Sequence, residues 1–172
     1  MNKKVQLTVL TLAAVLLAIP YIGMARATPS TAVNGALIVT GYVPLETLPR
    51  GGSDNVIMKV LLTVEFTGDI SGTATYEALW MLHNFVPPDG GPDLAVNIRE
   101  KITFETVTVL GKSGSLTLEA NLCSARPPNK VWLWTILGGT GELASLHGHG
   151  TWAPEEPGDL VEFYEGQVHF DP

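Results

Sequence analysis

From Val56 onward apolar and polar residues alternate with a period of two, and that alternation limits what the chain can fold into. In VIMKVLLTVEF, Val56, Met58, Val60, Leu62, Val64 and Phe66 share one face, while Lys59, Thr63 and Glu65 share the other. ISGTATYEALWML repeats the pattern, with Ile70, Ala74, Tyr76, Ala78, Trp80 and Leu82 together and Thr73, Thr75 and Glu77 opposite. The intervening TGDIS predicts a tight hairpin. Beyond the breaker-rich loop VPPDGGPD, LAVNIREKITFET places Leu94, Val96, Ile98, Ile102 and Phe104 on one side. SLTLEANL, VWLWTIL and LVEFYEGQVHF complete seven or eight short strands, and no helical period is sustained after residue 30. The expected class is all-β, an antiparallel closed barrel of about eight strands. A barrel is preferred to a sandwich because closure removes exposed sheet edges. Its interior would be filled by side chains or hold one small ligand.

Residues 1–27 predict an N-terminal signal helix: Lys3 and Lys4, then an apolar stretch from Val5, then Ala25-Arg26-Ala27 as a small-x-small cleavage site. An uncleaved anchor is the alternative, since the weakly polar run approaches the roughly 20 residues that a spanning helix needs. Contact with a membrane is expected only in that case. Cleavage would leave residues 28–172 as one β-barrel domain, secreted or extracytoplasmic, in a periplasm or on a cell surface. The leader takes three basic groups and no acid with it, which leaves 7 basic against 17 acidic groups, a net −10. With no basic cluster, the chain is not expected to bind nucleic acid. Cys123 is the single cysteine, so no intramolecular disulfide can form, and it reads as a small apolar core residue.

The passage WTILGGTGELASLHGHGTW concentrates the glycines. Gly138, Gly139 and Gly141 predict a reversal at positive φ after VWLWTIL, and ELASL is long enough for one helical turn. A phosphate cradle is excluded by context: the segment lacks a P-loop lysine and the third glycine of a dinucleotide fingerprint, and no strand–helix alternation surrounds it. No cofactor is expected. GGTGELASLHGHG resembles the GG-[ST]-G-x-[FL]-xxxx-G segment of allene oxide cyclases and dirigent proteins. With FTGDISGTATYEALWM and NIREKITFETVTVLGKSGSLTLEA, the wider chain resembles the domain of unknown function 3224 family over about Val56 to Phe170. That resemblance implies an allene oxide cyclase-like, calycin-like barrel and brings no established reaction. It also implies that dimers or trimers are open to the chain, although no residue pattern selects one. The chain departs from the relatives at Glu119-Ala120, where they tend to carry Gln-His, and at His147 and His149, where Arg and Glu are frequent.

Glu100 is the candidate catalytic group, because its position falls on the face of Val96, Ile98, Ile102 and Phe104. A carboxylate inside a narrow barrel must find donors, pair with a cation, or stay protonated. The alternatives are a bulge that turns it to solvent and a structural carboxylate bonded to Tyr or Trp. Tyr76, Trp80, Phe104, Trp132 and Trp134 are the candidate ligand-binding residues, with core plugs as the competing role. Glu77 is expected in solvent, and Glu142 as a cap on free backbone N–H groups. His147 and His149 share a strand face, but two ligands make no metal site, and a third from His83, His169 or Glu142 would have to come from the fold. No metal is expected there, only exposed histidines near a rim. Three functions follow in order: a binder of a small apolar ligand or a partner surface, an isomerase or cyclase of an apolar substrate with Glu100 as the polar group, and a structural or interaction module.

Overall fold

The period of two becomes eight strands: β1 (Thr31–Pro49), β2 (Val56–Gly68), β3 (Ile70–His83), β4 (Ala95–Val109), β5 (Lys112–Ser124), β6 (Trp132–Gly139), β7 (Leu146–Pro154) and β8 (Val161–Phe170). Each pairs antiparallel with its neighbour in sequence, and β8 returns to β1 to close the barrel. The computed structural model describes residues 28–49, 55–84, 95–124, 131–155 and 160–172, without the side chains of Ala95, Cys123 and Ser124. The expected leader helix, the loop 86–93 with Leu94, and the packing of Cys123 lie outside the described residues.

The ring is uneven. β1 pairs with β2 over its whole inner length, from Gly35↔Gly68 to Pro49↔Val56, whereas its ladder with β8 ends at Ile38↔Val161. The β6–β7 ladder is short, from Trp132↔Trp152 to Thr135↔His149. The connections β2–β3, β4–β5 and β6–β7 are tight and lie at one end, the turn end. The other four connections join strands at the opposite end, here the loop end.

One bulge resets the inward face. Phe104 pairs with Leu116 and Val107 with Gly114, so β4 carries one extra residue between them. Glu105 and Thr106 are consequently both exposed, and the inward set passes from Ile102 and Phe104 to Val107 and Val109. Phe66 stands at the centre of the core. Its ring meets Phe104 edge-on at 5.2 Å, Trp152 edge-on at 6.0 Å and Tyr164 at 5.6 Å. Tyr164 reaches across to the β2–β3 turn, where its hydroxyl accepts from Ile70 N at 2.7 Å and faces the carbonyls of Thr67 and Ile70 at 3.1 Å.

The glycine-studded passage has two roles. In HGHG the histidines point out and the glycines in, since Gly148 is buried between exposed His147 and His149. The indole of Trp134 lies against the backbone of Gly150 and Gly166, which face each other across β7 and β8. A Cβ on Gly150 would stand 2.5 Å from Trp134 Cζ2, and one on Gly166 2.4 Å from the same atom. The missing side chains are what admit the ring. The reversal comes later than the sequence predicts: β6 continues through Gly138 and Gly139, and of the three glycines only Gly141 has positive φ, at 62°. The helical turn expected over ELASL starts one residue earlier and is shorter, a 3-10 turn at Gly141–Leu143. Glu142 caps as expected, but on a neighbour: its carboxylate accepts from Ser113 N at 2.9 Å, at the start of β5.

Candidate functional site

Glu100 points inward. The β4–β5 ladder runs without interruption through Glu100↔Ala120, the β3–β4 ladder resumes at Ala78↔Glu100 after a break that begins at Gly72, and only 3 % of the Glu100 surface is accessible. Alanine on both flanking strands leaves room for its side chain on a wall otherwise lined by larger groups. Two donors come from β3. Tyr76 Oη–H donates to Glu100 Oε2 at 2.8 Å, and Trp80 Nε1–H donates to Oε1 at 3.2 Å. Residues four apart on a strand share a face, so Tyr76 and Trp80 bracket Ala78 and reach one oxygen each.

Burial holds the Glu100 carboxyl above the usual carboxylate range, and the two hydrogen bonds pull it back only in part. The Tyr76 hydroxyl is pushed far up, by burial first and then by the charge of Glu100. The described residues supply Glu100 with donors and no cation. A carboxyl in this state accepts hydrogen bonds when ionised and holds its proton to higher pH than an exposed carboxyl does.

Above this group, toward the loop end, the filling changes. Trp80 is only partly buried, and Tyr42 lies against it with ring centroids 5.8 Å apart. Tyr42 pairs with Leu62, an inward position, yet 46 % of its surface is accessible. Met58, also inward, is partly buried. Toward the turn end, Phe66, Ile102, Phe104, Leu116 and Leu118 are closed from solvent.

The other sequence candidates divide on this boundary. Trp132 lies at the loop end of β6, beside Trp152 at 5.8 Å. Trp134, 2 % accessible, fills the core over the glycine pair and donates from Nε1 to Thr151 O at 3.1 Å. Phe104 sits in the aromatic cluster with Phe66 and makes no described contact with Glu100. Sequence reasoning missed Tyr42, whose parity is inverted by a β1 irregularity between Val39 and Gly41.

On the outer wall, Glu77 is exposed and paired with Lys59, and Arg99 pairs with Glu119 at 2.8 Å. Both pairs border a depression of about 610 Å³ over β2–β5. Within these two pairs the charges neutralise each other, and Lys101 also lines the depression. His147 and His149 stand on the outer face, and His147 pairs with His169 across β7–β8, its Nε2 3.1 Å from Asp171. Among the described residues no three His, Cys, Asp or Glu side chains converge as a metal would require.

The fold and the buried carboxyl define a small all-β barrel protein with Glu100, the buried charged residue among those described, under an aromatic rim. No protein-family model and no curated protein matches the chain. Among solved structures it is similar to a protein of unknown function from the DUF3224 family of Shewanella oneidensis MR-1. The TM-score is 0.63 at 20 % identity, over 84 % of this chain and 100 % of that one. It is also similar to the pterocarpan synthase dirigent protein GePTS1, with TM-score 0.47 at 16 % identity, over 87 % of this chain and 95 % of that one. The first of these belongs to the family that the sequence segments resemble, and at 20 % identity the likeness is one of fold.

Proposed function

We propose that the protein binds a small, largely apolar molecule at the loop end of its barrel without transforming it. The observation that carries this reading is the Tyr42–Trp80 pair, aromatic surface left accessible on an inward face, held from below by Glu100. Ligand sites are mostly apolar with a few fixed polar groups, and this rim has that composition. Trp80 supplies the wall, and Glu100 with Tyr76 fixes the tilt of its indole. Phe104 and Trp134 belong to the packed core that supports the rim. The N-terminal pattern of residues 1–27 supports an exported protein, and Leu133 and Leu137, more than half exposed on β6, support self-association through the outer wall.

Mass spectrometry under native conditions, on protein purified from its own host, tests the reading. A retained small molecule is expected, and Trp80→Ala should lose it. Glu100→Gln should keep affinity within about tenfold, or 1.4 kcal/mol. The second reading, an isomerase or cyclase, is favoured by a carboxyl buried on the inward face between the Tyr76 and Trp80 donors, with its pKa raised by burial, as suits a general acid or base. Turnover that disappears in Glu100→Gln while binding persists would establish it over simple binding. Absence of any retained mass, together with no affinity across a panel of apolar compounds, would end both.

A further inference from the structure

We infer that the molecule held at the loop end carries a hydrogen-bond acceptor, a carbonyl or hydroxyl oxygen, which takes the indole N–H of Trp132. This rests on the binding reading above. Trp132 is 8 % accessible, and its Nε1 is closed from solvent with no hydrogen-bond partner among the described residues. The neighbouring indoles differ. Trp134, two residues along the same inward face, donates to Thr151 O, and Trp80 donates to Glu100. An indole N–H can only donate, so it is satisfied by an acceptor or by nothing. Leaving it unpaired in the interior costs on the order of 1–3 kcal/mol. The ring itself is held, by Trp152 against it and by the β7 ladder at Trp132↔Trp152.

The register says how the acceptor relates to the rest of the rim. Trp80 faces Ile98 on β4, and Ile98 faces Leu122 on β5. Trp132 continues that row, one residue beyond the Asn121↔Leu133 pair of β5 and β6. β3 and β6 are three strand spacings apart, roughly 14 Å along the wall. Between the two indoles lie only the aliphatic Ile98 and Leu122. A ligand along this row therefore has an apolar body the length of two or three fused rings, with its oxygen at the Trp132 end. An anion is disfavoured, because the row contains no cation and Glu100 lies one row below. A plain hydrocarbon would match the body and leave the N–H unpaired.

A matched pair of probes separates these possibilities: 2-acetylnaphthalene, which carries a carbonyl, and 2-ethylnaphthalene, which replaces it with methylene. Each is titrated into the full mature chain labelled with ¹⁵N at the tryptophan indoles. The Trp132 resonance is identified as the one missing from Trp132→Phe, or, if that variant does not fold, by its nuclear Overhauser contacts to Trp152. Both probes are expected to bind, the acetyl compound about tenfold tighter, with a downfield shift of the Trp132 indole proton for that compound alone. In Trp132→Phe the preference should fall to about one. Equal affinities with an unmoved Trp132 resonance would overturn the acceptor inference and leave the apolar binding site standing. A Trp132 proton already at a bonded shift in the free protein, as a bridging water would produce, also overturns it. If neither compound binds, this inference is overturned, while the binding reading is decided separately by the native mass spectrum and the wider panel.

Discussion

Replacing Tyr76 with Phe removes one hydroxyl and changes little else, so it isolates the link between the buried carboxyl and the fold. The hydroxyl donates at 2.8 Å to a carboxylate that is 3 % accessible and has one other described donor, Trp80. A hydrogen bond to a charged group contributes about 1.5–3 kcal/mol, and its loss here exposes a buried oxygen to no substitute. A domain of this size shifts its Tm by about 2–4 °C per kcal/mol, so Tyr76→Phe should melt about 3–12 °C lower at neutral pH. The sign of the pH effect follows from the same geometry. The Tyr76 bond lowers the Glu100 pKa, which means that it favours the ionised carboxyl. The cost of Tyr76→Phe is therefore largest above the folded-state pKa of Glu100 and shrinks as the pH falls through it. Thermal unfolding followed by tryptophan fluorescence at neutral and acidic pH, for both single variants and the double variant with Glu100→Gln, measures the coupling. A loss under about 0.5 kcal/mol at neutral pH, the usual scale of an inert surface change, or one that grows on acidification, would refute the argument.

Three further outcomes follow. Because burial raises the Glu100 carboxyl, its ionisation works against the fold, so stability is full below the ordinary carboxylate value and declines as pH rises through the folded-state pKa. Relative to wild type, Glu100→Gln should thus gain stability from acid to neutral pH in urea titrations, and a parallel pair of curves would contradict this. Gly150→Ala places a Cβ 2.0 Å from Glu165 O and 2.5 Å from Trp134 Cζ2, and should cost at least the roughly 1–3 kcal/mol typical of overpacking, whereas Gly138→Ala, with nothing within 4 Å, should be near neutral. Comparable denaturation midpoints for the two would count against the glycine floor. Glu142→Ala loses the acceptor for Ser113 N and should cost about 0.5–1.5 kcal/mol in the same assay, with no change at the rim.

The alternation of Val56 to Phe66 and of Ile70 to Leu82 was enough to place the inward side chains of β2 and β3 from Val56 to Leu82, Gly72 apart, because a period of two leaves a strand only two faces and one must be apolar. Glu100 was legible for the same reason, as a carboxylate on an apolar parity. Parity fails wherever a ladder gains a residue. The extra residue in β4 between Phe104 and Val107 and the irregularity after Val39 in β1 invert the faces that follow, and Tyr42 entered the rim unseen. Glycine letters were equally ambiguous: HGHG announces freedom of the backbone, yet the need for Gly150 arises from Trp134, sixteen positions earlier and one strand away. What the chain alone determined was its class and the inward parity of one carboxyl, since both are local consequences of spacing. Only the closed barrel decided which donors meet Glu100, which indoles are core and which are rim, and which N–H lacks a partner, because those depend on register between strands, a quantity no single strand contains.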